Sequence, residues 1–263
     1  MKLYGAAASP LALGPALAAL LLLAGCGGEG TAPDAAPSTA AAAADSADAP
    51  PDIPVVGPER RILALGDSLF AGYGLKPGEG YPEKLEAALR AKGVNARIAN
   101  AGVSGDTTAG GLQRLAFTLD NQSRPPDLVV ISLGGNDMLR GLPAAETRAN
   151  LEGILAELDK RHIPALLLGM LAAPNLGKDY ADAFNPIYPV LAKRHHAALV
   201  PFFLQAVIDK PELRQADHIH PTRQGIEELV AATLVDVAKA LPPATVAAKG
   251  SAPGPGGNES RTH

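Results

Sequence analysis

Cysteine, tryptophan and aromatic side chains are scarce in this chain of 263 residues. It contains one cysteine, Cys26, no tryptophan, and only 4% aromatic residues. A single cysteine excludes a disulfide framework. The formal net charge of −4 provides no excess of basic residues, so we expect no nucleic-acid partner. What remains is an apolar-rich composition typical of an α/β domain.

Long apolar runs are also missing. The N-terminal run Leu11–Ala24 has 14 residues, which is too short to span a bilayer but suits an export signal. It ends in Leu23-Ala24-Gly25-Cys26, which resembles the lipobox of bacterial lipoproteins. The resemblance implies a signal peptide over residues 1–25 and lipidation of Cys26. We therefore expect a periplasm-facing, membrane-anchored lipoprotein, in the outer rather than the inner membrane because no aspartate follows Cys26.

The two ends of the mature chain lack apolar periodicity. Residues 26–57 and 242–263 are rich in Ala, Pro, Gly and Ser, a composition typical of disorder. We predict a disordered tether after Cys26 and a disordered tail at the C-terminus. The body, residues 58–241, has the size of one domain.

Within the body, strand patterns alternate with helix patterns. The predicted strands are Arg61–Gly66, Ala96–Asn100, Leu128–Leu133, Ile163–Met170 and Ala198–Pro201. The predicted helices are Tyr81–Lys92, Thr107–Leu119, Ala144–Arg161, Asp179–His195 (broken by Pro186 and Pro189) and Thr222–Leu241. This alternation predicts a parallel sheet with helices on both faces and right-handed crossovers. Ligands of such sheets bind at the carboxyl ends of the strands.

Polar motifs fall at that edge. They are Gly66-Asp67-Ser68 after the first strand, Ser104-Gly105-Asp106 after the second, Gly134-Gly135-Asn136-Asp137 after the third, and Asp217-His218-Ile219-His220 before the last helix. Acyl transfer to a serine needs a base, a carboxylate that orients it, and donors for the oxyanion. The four motifs contain residue types suited to each of these tasks.

We assign catalytic roles to three residues: Ser68 as nucleophile, His220 as base and Asp217 as its orienting carboxylate. The oxyanion donors are the N–H groups of Ser68 and Gly105 and the side-chain amide of Asn136. Each residue alone has an ordinary structural explanation, such as a helix cap or a turn. Their joint occurrence at one predicted edge favours the catalytic interpretation.

The remaining polar residues of these motifs receive structural roles. Asp67, Asp106 and Asp137 are predicted to accept hydrogen bonds that fix the loops. His162, His195, His196 and His218 are predicted to be exposed and without such partners.

Together the four motifs resemble the SGNH (GDSL) hydrolase family, over essentially all of residues 61–240. The similarity is greatest to its bacterial periplasmic thioesterase, lysophospholipase and arylesterase branch, and it extends to Phe184-Asn185-Pro186-Ile187-Tyr188-Pro189 and Pro201-Phe202-Phe203. The resemblance implies a flavodoxin-like three-layer α/β/α sandwich with five parallel strands in the order 2-1-3-4-5. It implies the site roles given above, and neither a cofactor nor a metal.

Apolar residues after the third and fourth strands predict a groove for the acyl group. They are Met138, Leu139, Leu142, Leu171 and Pro174. With a lipid anchor, such a groove suggests small-molecule acyl esters or thioesters as substrates, such as lysophospholipids or aryl esters. We expect the protein to be a monomer.

Three other functions remain open on the sequence alone. A carbohydrate O-deacetylase would use the same fold and chemistry on a small acyl group. A non-catalytic lipoprotein could bind lipids or glycans. A metal-dependent hydrolase could use Asp67, Asp137, Asp217, His218 and His220, since carboxylates and closely spaced histidines can bind metal.

Overall fold

The computed structural model describes residues 55–243, which form a three-layer α/β/α sandwich. The five strands are β1 (Arg60–Gly66), β2 (Ala96–Gly102), β3 (Leu128–Ser132), β4 (Ala165–Leu168) and β5 (Ala198–Val200). All neighbouring strands are parallel, and their order is β2-β1-β3-β4-β5. The predicted fold and strand order are confirmed.

Helices connect the strands and cover both faces. They are α1 (Ser68–Ala71), α2 (Tyr81–Ala91), α3 (Thr108–Asp120), α4 (Gly135–Leu139), α5 (Ala144–Lys160), α6 (Lys178–Phe184), α7 (Ile187–Arg194) and α8 (Arg223–Ala240). Helices α2 and α8 pack against each other, as do α3 with α5 and α5 with α7. For this strand order, the general rule of right-handed crossovers puts the first pair on one face of the sheet and the other three helices on the opposite face.

The core is centred on the middle strands. Every residue of β3 and β4 is buried, as the unbroken apolar run in β3 predicted. On the α2 and α8 face, the stacked rings of Phe70 and Tyr81 lie 5.3 Å apart, and Tyr81 also bonds Thr233 of α8 at 2.7 Å. This packed core supports the sheet, and the polar loops follow the carboxyl ends of its strands.

Three local predictions are corrected. Strand β4 is shorter than Ile163–Met170, and Met170 has left the sheet. Helix α7 begins after Pro186 and contains Pro189 as its third residue. Pro189 does not break it, because an amide in the first turn of a helix has no intrahelical acceptor to lose. The short helices α1 and α4 were not predicted, since four or five residues carry no readable periodicity.

The N-terminal predictions fall outside the described residues. This holds for the signal peptide, for Cys26 and for nearly all of the tether, and the C-terminal tail lies outside from residue 244 onward. Within residues 55–243, none of the helices combines the length and apolar character needed to cross a membrane.

Candidate active site

Ser68, His220 and Asp217 form a chain of hydrogen bonds at the carboxyl edge of the sheet. His220 Nε2 lies 2.8 Å from Ser68 Oγ, and His220 Nδ1 lies 2.6 Å from Asp217 Oδ2. The other Asp217 oxygen accepts the backbone N–H groups of Ile219 and His220 at 2.9 and 3.0 Å. The His220 side chain, followed by these two N–H groups, lowers the pKa of Asp217 from 3.8 to about 2. Asp217 is therefore an anion at neutral pH that holds the Nδ1 side of the imidazole.

Ser68 is the first residue of α1, directly after β1. Asp67 caps this helix by accepting the Leu69 N–H at 3.0 Å. Because the first N–H groups of a helix have no intrahelical acceptor, the Ser68 N–H can donate a hydrogen bond to a negatively charged atom. The chain then turns away at Gly72, whose left-handed backbone ends the helix after one turn. The local sequence thus presents both Ser68 Oγ and the Ser68 N–H at the site.

Gly105 and Asn136, the other two predicted donors, line the same cavity as Ser68 and His220. Arg140 holds the Gly105 carbonyl with a 2.6 Å hydrogen bond. Asn136 lies in the first turn of α4 and donates one amide hydrogen to Asp67 Oδ2 at 3.2 Å. That bond orients the Asn136 amide and leaves its second hydrogen for the cavity. The structure therefore brings together every residue predicted for the triad and the oxyanion site.

Asp67 sits beneath these groups and is only 2% exposed. Burial raises its pKa from 3.8 to about 6, against the lowering effects of the Leu69 N–H, the charge of His220 and the Asn136 amide. Asp67 thus links the helix that carries Ser68 to the side chain of Asn136.

Asp106 and Asp137 tie the neighbouring loops to the fold, as predicted. Asp106 accepts a 2.8 Å bond from Arg114 Nε of α3, and Arg114 also donates to the Gly66 carbonyl at 3.0 Å. Buried Asp137 accepts the N–H and the hydroxyl of Thr108 at 2.9 and 2.5 Å. These bonds link the Gly105 loop to the end of β1 and to α4.

Hydrogen bonds from Gln215 hold the loop that carries His220. Gln215 donates its side-chain amide to the carbonyls of Tyr73 and Pro221 at 2.8 and 2.9 Å. Its backbone N–H donates to the His220 carbonyl at 2.7 Å. The Tyr73 ring lies over the His220 imidazole, with ring centroids 4.4 Å apart. Gln215 therefore fixes both the catalytic loop and the residue that packs on its histidine.

A cavity of about 490 Å³ opens beside Ser68 Oγ, within the size range of small-molecule sites. Its apolar wall comprises Leu69, Tyr73, Met138, Leu139, Met170, Ala173, Leu204, Ile208 and Ile219. Of the residues predicted to form a groove for the acyl group, Met138 and Leu139 line this cavity. Leu142, Leu171 and Pro174 are not among the residues that line it. Residues from the segment after β5 replace them, because this segment folds back over the site in short 3-10 turns.

One of the histidine predictions is also wrong. His195 is not free, because its Nδ1 lies 2.6 Å from Asp159 and its side chain is only 9% exposed. His162, His196 and His218 are exposed, as expected. In the part of the chain that the structure describes, no three His, Cys, Asp or Glu side chains are grouped so as to hold a metal ion.

Four residues that support the site received no role in the sequence analysis. They are Tyr73, Arg114, Tyr188 and Gln215. Tyr188 donates to the Leu133 carbonyl at 2.9 Å and so holds the strand end just before Gly134. All except Tyr73 act through hydrogen bonds to distant backbone carbonyls, and residue type alone gives no signal for such contacts.

A serine, an imidazole and a carboxylate in this geometry, next to oriented N–H donors, define a serine hydrolase. Comparison with known proteins gives the family. Residues 64–227 match the model of the GDSL-like Lipase/Acylhydrolase family, and the chain belongs to this family.

Individual relatives agree with that assignment. The arylesterase of Vibrio mimicus is 40% identical over 178 residues, which cover 66% of this chain and 88% of that protein. The thioesterase 1/protease 1/lysophospholipase L1 of Escherichia coli is 39% identical over 162 residues, 62% of this chain and 76% of that protein. The crystal structure of AlinE4, an SGNH-hydrolase family esterase, is 64% identical, covers 71% of this chain and 99% of its own, and has a TM-score of 0.61. The chain is a serine esterase.

Proposed function

We propose that this esterase hydrolyses fatty-acyl esters or thioesters, such as lysophospholipids, aryl esters or acyl thioesters, through an acyl-Ser68 intermediate. The observation that carries the proposal is the continuous chain from Asp217 through His220 to Ser68 Oγ, which opens into an apolar cavity. Relatives named arylesterase and thioesterase/lysophospholipase support the same range of substrates.

The first half of the reaction acylates the enzyme. Ser68 Oγ attacks the carbonyl carbon while His220 Nε2 takes the hydroxyl proton. The carbonyl oxygen becomes an oxyanion that accepts hydrogen bonds from Ser68 N–H, Gly105 N–H and the Asn136 amide. The bond to the leaving group then breaks, and His220 protonates the departing alcohol or thiol.

The second half releases the acid. Water takes the place of the leaving group and attacks the acyl carbon while His220 Nε2 takes one of its protons. The bond from the acyl carbon to Ser68 Oγ then breaks, the acid is released, and His220 returns the proton to Ser68 Oγ. Anionic Asp217 stabilises the imidazolium in both halves. Asp67 acts indirectly, because it positions the Asn136 amide and the first turn of α1.

We also propose that the protein is a lipoprotein held on the periplasmic side of the outer membrane through lipid on Cys26. The support is the lipobox-like Leu23-Ala24-Gly25-Cys26 and the apolar run before it. More than one acyl chain on this cysteine would give stable anchoring.

The substrate proposal is tested with p-nitrophenyl esters from acetate to palmitate. Wild type should hydrolyse them in the presence of EDTA, with an optimum at medium or long chains, and Ser68→Ala should be inactive. A sharp preference for acetate would favour a deacetylase instead. Equal activity of wild type and Ser68→Ala would remove Ser68 as nucleophile.

A further inference from the structure

Exposed apolar side chains are concentrated around the mouth of the cavity. Nine large apolar residues are exposed in the part of the chain that the structure describes, and five of them lie at the carboxyl edge of the sheet. We call these five the apolar rim: Tyr73, Val103, Leu139, Leu171 and Ile219, each between 42 and 55% exposed. The clustering needs an explanation, because single exposed apolar residues are ordinary but groups at one opening mark interaction sites.

The rim is assembled from five separate segments of the chain. Tyr73, Leu139 and Ile219 also line the cavity itself. Val103 directly precedes Ser104, and Leu171 directly follows Met170, both of which line the cavity. The sheet edge therefore brings these residues together, and no helix stripe or core requirement accounts for their exposure.

The rim continues into the apolar wall of the cavity. An acyl chain could pass from a lipid layer against the rim into the cavity without first crossing water, which avoids the cost of hydrating its CH₂ groups. Arg140, which is exposed and follows rim residue Leu139, places a positive charge at the same edge. A guanidinium at this position suits the phosphate level of a phospholipid layer.

We propose that the apolar rim is a docking surface for a phospholipid layer, from which the enzyme takes its substrate. The proposal rests on the fatty-acyl ester function given above. Docking requires neither Ser68 nor the anchor on Cys26, so it can be measured without either.

The test uses residues 55–263, so that no lipid anchor contributes to binding. This domain is expected to fold by itself, because the solved esterase AlinE4 matches 99% of its own chain within 71% of this one. The variant is Val103→Ser with Leu171→Ser, neither of which lines the cavity. The matched control is Phe117→Ser with Val235→Ser, which removes two more exposed apolar side chains, at 73 and 58%, from α3 and α8.

Two measurements are made on each protein: co-sedimentation with phosphatidylcholine vesicles that carry lysophosphatidylcholine, and hydrolysis of dissolved p-nitrophenyl butyrate. The rim variant should lose vesicle binding and vesicle hydrolysis by about tenfold, and should keep its activity on the dissolved ester. The control should match wild type in both, and Ser68→Ala should bind vesicles without hydrolysis.

Three outcomes overturn the proposal. Wild type that hydrolyses the dissolved ester but does not bind vesicles would refute docking and leave the esterase function intact. An equal loss of binding in the control would show general surface hydrophobicity. Vesicle binding that disappears when salt is added would assign the binding to charge rather than to the rim. Vesicle binding by a wild type that hydrolyses no fatty-acyl ester would instead refute the proposed substrates.

Discussion

At the scale of single residues, Asp67 is a buried carboxylate that contacts two parts of the site. It is nearly fully buried, and no lysine or arginine pairs with it among the residues that the structure describes. Its two oxygens accept the Leu69 N–H and the Asn136 amide. Burial of such a carboxylate costs stability when it is ionised, and that cost is coupled to the orientation of a proposed oxyanion donor.

The raised pKa of Asp67 predicts a specific dependence of stability on pH. With the pKa at about 6 in the folded state and 3.8 as its ordinary value, the folded protein binds the proton more tightly than the unfolded chain. Stability relative to Asp67→Asn should therefore fall by about 2 kcal/mol as pH rises from about 4 to about 7. Urea unfolding of both proteins at each pH measures this difference. A difference that stays constant with pH would contradict the assignment.

Asn136→Ala tests the oxyanion site. Loss of one preorganised donor should lower kcat by roughly 10²–10³ with a much smaller change in KM. Asn121→Ala is the control, since Asn121 is an exposed residue after α3 whose side-chain amide donates to the Phe117 carbonyl, away from the cavity. Steady-state kinetics and a melting curve on both variants separate catalysis from stability. Near-wild-type kcat in folded Asn136→Ala would remove the role.

How far the sequence predicts the site depends on how local each contact is. The Asp217–His220 pair could be predicted because a three-residue turn brings the groups together. Ser68 and His220 are 152 residues apart, and only the rule that parallel strands share one carboxyl edge joined them. The contacts of Gln215 with Tyr73 could not be found, because a glutamine that bonds a distant backbone carbonyl looks like any other polar loop residue.

At the scale of elements, the site depends on loops that are fastened to one another. The strands and the long helices were predictable from apolar patterns, whereas α1 and α4 and the turns after β5 follow from tertiary packing. The last of these turns leads to Gln215, which joins the loop after α1 to the loop of His220. A side chain that displaces Gln215 should therefore loosen both loops.

Gly74→Ala tests this fastening. Gly74 has a φ of +73°, and a Cβ there would collide with Gln215 Oε1. Gly78→Ala is a matched control in the same loop, with a φ of +84° and open space around the new Cβ. Both should lose about 1–2 kcal/mol of stability from left-handed backbone strain, but only Gly74→Ala should lose kcat. Equal kcat values for the two variants would show that the Gln215 clamp does not support catalysis.

At the scale of the whole molecule, the described chain begins at the amino edge of the sheet, whereas the active site lies at the carboxyl edge. The described chain enters β1 at Arg60 on the amino edge, and the seven residues of β1 span roughly 23 Å to the carboxyl edge. The predicted tether over residues 26–57 would reach roughly 30 Å on average. An anchored domain could therefore still turn its apolar rim toward the membrane.

Cys26→Ser tests the anchor in cells. Wild type should fractionate with membranes and incorporate labelled palmitate, whereas the variant should lose both properties. Hydrolysis of a dissolved p-nitrophenyl ester by the purified variant should equal that of wild type, because the site lies wholly within the folded domain. Membrane association of Cys26→Ser without label, at the level of wild type, would show that lipid on Cys26 is not the anchor.

The central claim is that Ser68 carries the acyl group, and covalent trapping tests it most directly. Wild type is treated with a p-nitrophenyl alkylphosphonate, and the modified peptide is identified by mass spectrometry. We predict one phosphonyl group on Ser68, loss of esterase activity in proportion to labelling, and no adduct on Ser68→Ala. Labelling of another residue in step with the loss of activity, or inactivation without any adduct on Ser68, would contradict the account.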